Sequence, residues 1–188
     1  MQLPKCIREG IKSFVIDAEA VAWDKETERL LPFQELSRRK RKDVKAEDIK
    51  VKVHLFAFDL LYLNGKPLLA ENLERRRELL RESLQPVEGE FAFATSDDAT
   101  NVDDIQIFLD KSIKDGCEGL MVKMLEGEGA SYEPSRRSIH WLKVRFLCAL
   151  LGGWLADLLS TQNSSRRTTS PASETRYALS QASSSYAR

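Results

Sequence analysis

Residues 51–63, Val-Lys-Val-His-Leu-Phe-Ala-Phe-Asp-Leu-Leu-Tyr-Leu, constrain the fold more than any other run in the chain. They are dense in β-branched and aromatic residues and read as its strongest strand. Asn64-Gly65, directly after, supplies a tight turn of the kind that needs positive φ. Successive side chains on a strand face opposite ways, so Phe58 and Asp59 point to different sides. Phe58 read alone is ordinary core packing. The functional alternative is an aromatic platform for a base.

Other elements fall around this strand. Residues 13–23 read as a second strand, and period-2 alternation places Asp17 and Glu19 on one face with Val15 and Val21. Two carboxylates on a mostly apolar strand are costly to bury unless a cation or metal meets them. A solvated sheet face is the plain alternative. Asn72 to Leu84 reads as a helix, with Leu69, Leu73, Leu80 and Leu84 on one stripe and Arg75, Arg76, Arg77 and Arg81 around the rest. Residues 90–95 are a short strand. Asn101 is placed to cap a second helix that runs to about Lys114, turns Ile105, Phe108, Leu109 and Ile113 inward and stops at Gly116. Next comes the strand Glu118-Gly119-Leu120-Met121-Val122-Lys123, in which alternation sends Glu118 and Lys123 to different faces. By itself it reads as a core strand with charged ends. Ile139 to Arg145 is a last strand, with Lys143 and Arg145 on the same face.

Composition limits the partners. The chain of 188 residues carries 29 basic and 29 acidic side chains, so attraction to nucleic acid must come from local clustering. The one dense basic run is Ser37-Arg38-Arg39-Lys40-Arg41-Lys42, ordinarily a solvated face and sometimes a phosphate-contacting or nuclear-targeting patch. Three cysteines without C-x-x-C spacing and two histidines argue against a disulfide framework or a multi-histidine metal centre. The N-terminus has no signal-peptide h-region, and the apolar run Phe146 to Leu159 falls short of the ~20 residues that span a bilayer. A soluble, intracellular protein without membrane partners is expected. Beyond Leu159, Ser, Thr, Arg and Ala dominate, a composition that predicts a disordered tail.

Taken in order, these segments resemble the adenylation (nucleotidyltransferase) domain of eukaryotic ATP-dependent DNA ligases, of the replicative ligase I type. Asp17-Ala18-Glu19-Ala20-Val21-Ala22-Trp23 is similar to motif III of that family, and Phe56 through Gly65 to motif IIIa. Glu118 to Lys123 resembles motif IV, and Trp141-Leu142-Lys143-Val144-Arg145 the start of motif V. Pro32 to Leu36 with the basic run, and Leu73-Glu74-Arg75-Arg76-Arg77, are also ligase-like. RNA ligases and mRNA-capping enzymes share motifs III, IIIa and IV, but the Leu-Tyr-Leu-Asn-Gly ending and the basic segment favour a DNA ligase.

The resemblance implies an α+β fold of mainly antiparallel sheets flanked by helices, an incomplete ATP-grasp-like nucleotidyltransferase domain over residues 13–145. An N-terminal remnant at 1–12 and a non-family tail at 146–188 flank it. It further implies ATP and Mg²⁺ as cofactors, nicked duplex DNA as partner, and a nuclear setting, with a mitochondrial form also compatible. Phe58 would stack on adenine, Glu19 would contact the ribose or help hold metal, and Glu118 would support the divalent cation. Lys143 would grip the α-phosphate, with Arg145 standing where the family usually has a second lysine. Arg39 and Arg41 would lie near DNA. The family's nucleophile sits in a Lys-x-Asp-Gly motif that does not occur here, since Lys114-Asp115-Gly116 lacks the spacer residue. The resemblance stops at Arg145, short of the OB-fold domain, and the separate DNA-binding domain is also outside the chain. The expectation is a ligase fragment, inactive alone. The alternatives are a non-catalytic ATP- or DNA-binding module and an inert truncated or misjoined product.

Overall fold

A computed structural model of the chain describes residues 3–24, 26–27, 29–31, 35, 51–114, 117, 119–134, 140–145 and 176–182. These fall into two compact units that divide between Ala94 and Thr95. Arg39, Arg41, Gly116 and Glu118 lie outside the described residues, as does the side chain of Arg145.

Unit 1 is built on strands β1 (Phe14–Asp24) and β3 (Val51–Leu63), which run antiparallel along most of their lengths. β2 (Arg29–Leu31) extends the sheet beside β1, β4 (Lys66–Pro67) returns beside the end of β3, and β5 (Phe91–Phe93) lies parallel to β3. The return is the predicted tight turn: Asn64 and Gly65 both have positive φ, at 45° and 94°. The Asn64 side chain accepts the backbone N–H groups of Lys12 (2.7 Å) and Ser13 (3.2 Å) and donates to the Gly10 carbonyl, tying the turn to the chain entering β1. Helix α1 (Leu73–Ser83) covers the sheet, and Leu80, Leu84, Ala57, Leu60, Leu68 and Phe91 form the core with Cys6. Residues 3–12 belong to this unit: Cys6 is buried and Arg8 donates to the Leu84 carbonyl.

Unit 2 is a four-stranded antiparallel sheet in the order β6 (Ser96–Ala99), β9 (Tyr177–Ala182), β7 (Gly119–Met124), β8 (Trp141–Arg145). Helix α2 (Val102–Lys114) packs Ile105, Phe108 and Leu109 on Leu120, Val122, Val144 and Leu179. Asn101 caps it as predicted, its side-chain oxygen accepting the Asp104 N–H at 2.9 Å.

Two expectations need correction. The tail is not disordered throughout, because Tyr177–Ala182 forms an inner strand of this sheet. A polar composition predicts disorder when no apolar side chain can be buried, but alternation on a strand needs only one or two, and here Leu179 is that residue. Arg76 and Arg77 are not on the outer surface of α1 but buried. Among the described residues no helix is long and apolar enough to cross a membrane.

Candidate functional site

Glu19 sits in the middle of β1, half-buried and opposite Phe56 of β3. Just before it the β1–β3 register slips: Asp17 pairs with Asp59 and Ala18 with Ala57, so Phe58 is the extra residue on β3. Such a bulge leaves one residue outside the ladder and re-aims its side chain. Phe58 is accordingly half-buried while its neighbour Asp59 is wholly buried. A carboxylate and an aromatic ring, chosen in the sequence for separate reasons, are thus brought onto adjacent strands of one sheet.

Asp59 explains how that bulge is held. Its carboxylate accepts Arg76 Nε at 2.8 Å and Arg76 Nη2 at 2.9 Å, and the Leu60 N–H at 2.8 Å. Arg76 also donates to the Glu71 carbonyl. Both charged side chains are fully buried, which is tolerable only for a pair with its hydrogen bonds made. The helix-stripe rule sends arginine to solvent by default and so misses Arg76. The signal that would find it is an aspartate set inside an otherwise apolar strand.

Further along the same ladder, His54 stacks on Phe56 (centroids 4.5 Å apart, 13° between planes) and lies 5.4 Å from the Trp23 ring. Neither ring nitrogen of His54 has a hydrogen-bond partner, and burial pushes its pKa below the usual 6.5. A cleft of about 460 Å³ opens here, lined by Trp23, Lys52, His54, Glu88 and Phe91 among others. It includes neither Glu19 nor Phe58.

In unit 2, Lys143 on β8 pairs with Met121 on β7, and Trp141 with Lys123. Leu120, Val122 and Val144 face the core, so by alternation Met121, Lys123, Trp141 and Lys143 share the opposite face. The Lys123 ammonium lies 4.0 Å from the centre of the Trp141 ring, and the residue is almost fully buried. Two cations with an aromatic and a thioether therefore share one face of this sheet. The sequence reading named Lys143 and missed Lys123, although the same alternation that separates Lys123 from Glu118 aligns it with Lys143. Arg145 pairs with Gly119 at the end of β8. Among the described residues no group of three or more His, Cys, Asp or Glu side chains is arranged to hold a metal.

Comparison with known proteins gives these features a setting. A model of the ATP dependent DNA ligase domain matches residues 1–145. DNA ligase 1 of Schizosaccharomyces pombe is 58% identical over 145 residues, which are 77% of this chain and 19% of that protein. DNA ligase 1 of Drosophila melanogaster is 53% identical over 139 residues (74% and 18%), and that of Arabidopsis thaliana 50% over 145 (77% and 18%). The chain thus spans about a fifth of the length of these relatives. A solved mycobacterial DNA ligase D complexed with ATP and MES aligns at 27% identity and a TM-score of 0.47, over 71% of this chain and 38% of that one.

Proposed function

The chain belongs to the ATP-dependent DNA ligase domain family, and from that premise we propose that it is a nucleotide-binding portion of a DNA ligase of the ligase 1 type. The observation that carries the reading is that Glu19 and the bulged Phe58 lie on adjacent strands, Glu19 opposite Phe56 and Phe58 two residues further along β3. A flat ring beside a carboxylate suits a nucleoside, whose base accepts stacking and whose ribose hydroxyls donate to the acid. Lys143 and Lys123 supply positive charge of the kind that phosphates require.

In this reading Phe58 stacks on adenine, Glu19 binds the ribose or a divalent cation, and Lys143 grips the α-phosphate. Mg²⁺ bound through Glu118 and Glu19 would neutralise phosphate charge. Such an ion usually takes only one or two carboxylates and completes its shell with water and phosphate oxygens. The whole ligase would adenylate its own lysine, pass AMP to the 5′-phosphate of a nick and release it as the 3′-hydroxyl seals the strand. Each step is phosphoryl transfer, for which the protein supplies position and charge. Arg39 and Arg41 would contact the nicked duplex, and the setting would be nuclear, in replication, repair and recombination.

The chain holds no Lys-x-Asp-Gly run, so alone it should bind nucleotide without forming a covalent adduct. Incubation with labelled ATP and Mg²⁺, followed by denaturing electrophoresis, tests the second part, and a labelled band would refute it. Thermal stabilisation by ATP tests the first. Its absence, together with no salt-sensitive DNA binding, would leave an inert product as the better reading.

A further inference from the structure

We infer that the gap between β6 and β7 is a strand-accepting slot and that Arg176–Ala182, from beyond the family-matched region, is its built-in occupant. Three observations converge. The first is hydrogen-bonding position: β9 pairs with β6 from Ser96↔Ser180 to Ala99↔Tyr177 and with β7 from Gly119↔Ala182 to Met124↔Tyr177. Among the described residues β6 has no other strand partner. Without β9 two ladder edges would stand open, and open edges recruit other strands.

The second is side-chain pattern. Leu179 enters the core cluster with Ile105, Phe108, Leu120 and Val122, and Tyr177 packs beside it. The alternate residues Ala178 and Ser180 pair with Lys123 and Met121 on the face that carries the two lysines. Ala178, Ser180 and Lys123 are all buried there, so this face is packed and takes small side chains. A one-residue slip would exchange Leu179 with a small residue and empty its core site, so the register is specified.

The third is a clamp at the strand entry. Arg176 donates to Glu126 at 2.9 Å and to Asp98 at 3.2 Å, reaching the segment after β7 and the strand β6 at once. Its carbonyl accepts the Leu125 N–H at 3.2 Å. The family match ends at residue 145, so this strand is furnished by sequence that the family does not define. The slot therefore accepts an antiparallel peptide with an arginine at its start and one large aliphatic residue between small ones. Any strand offered from outside has to displace β9.

Residues 146–175 would reach about 100 Å at full extension, so they permit insertion within one chain or between two. A strand on the same chain meets the slot at an effective concentration set by its tether and independent of protein concentration, which favours its own chain in dilute solution. The test uses the full chain with Met121→Cys and Ser180→Cys, a directly paired position. Mild oxidation of the monomer should give a disulfide within one chain, found by peptide mass mapping, and amides 177–182 should exchange as slowly as those of β7. A bond only between chains, no bond, or exchange at free-peptide rates overturns the inference. In a second arm, Leu179→Asp should deprotect 96–99 and 119–124 and produce oligomers, and the synthetic peptide Arg-Tyr-Ala-Leu-Ser-Gln-Ala should reverse both. Unchanged protection in that variant would also overturn it. If the variant fails to fold, the cysteine pair still decides.

Discussion

Arg76 of α1 and Asp59 of β3 form a fully buried, two-pronged ion pair beside Phe58, which one of the two register shifts between β1 and β3 leaves outside the ladder. It fixes the helix to the strand at the point where regular pairing breaks. The position of Phe58 therefore depends on an arginine elsewhere in the sequence.

Breaking one side of this pair should be severe. Asp59→Asn or Arg76→Met leaves a buried charge without its counter-ion, and each should lower unfolding stability by about 3–5 kcal/mol in chemical denaturation. Asp59→Leu combined with Arg76→Met should recover most of that loss, because two apolar groups need no partner. If the double variant is no more stable than the singles, the pair does not act as a unit.

Phe58→Ala should weaken ATP binding about 10- to 100-fold if the ring stacks on adenine, on the ~1–3 kcal/mol scale of base–aromatic stacking. Binding of inorganic tripolyphosphate should not change. Isothermal titration with both ligands separates a lost base contact from general damage, since misfolding would weaken both.

Acid should destabilise unit 1 through His54. Burial holds its pKa below 6.5, so below that pH the unfolded chain takes up a proton that the folded ring resists. Stability is then lost as pH falls from about 7 toward 5. His54→Leu should flatten this dependence in thermal melts across that range. A variant as acid-sensitive as the parent would assign the effect to carboxylates instead.

Alanine should destabilise two positions for different reasons. Asn64→Ala loses two accepted N–H bonds and places a β-carbon at φ 45°, and should cost about 1–2 kcal/mol. Asn64→Gly should cost less, because it relieves the backbone and loses only the bonds. Gly129→Ala should be harmful for a different reason: its β-carbon would overlap the His140 ring, which should cost about 1–3 kcal/mol. Denaturant midpoints rank the three.

Much of this was legible in the sequence because it is local. Strand 51–63, the Asn64-Gly65 turn and the Asn101 cap follow from propensity and short-range hydrogen bonding, and these agree with the structure. The motifs that lead to the ligase family are likewise contiguous. Alternation also placed Glu19 and Lys143 on strand faces without reference to any partner strand.

What the sequence alone could not supply depends on partners far along the chain. No periodicity announces that Phe58 falls at a bulge, because a bulge is a property of two strands in register and not of either one. Helix spacing puts Arg76 on the Leu73–Leu80 stripe and Arg75 off it, but nothing local announces the counter-charge: Arg76 is buried on Asp59 while Arg75 pairs with Glu78 in solvent. The strand Tyr177–Ala182 reads as polar tail until the edges of β6 and β7 are present to pair with it. Local propensity and contiguous motifs determined the elements and the family. Tertiary structure decided which charges are buried, where the ladder breaks and what fills the sheet, because each of those energies exists only once distant residues meet.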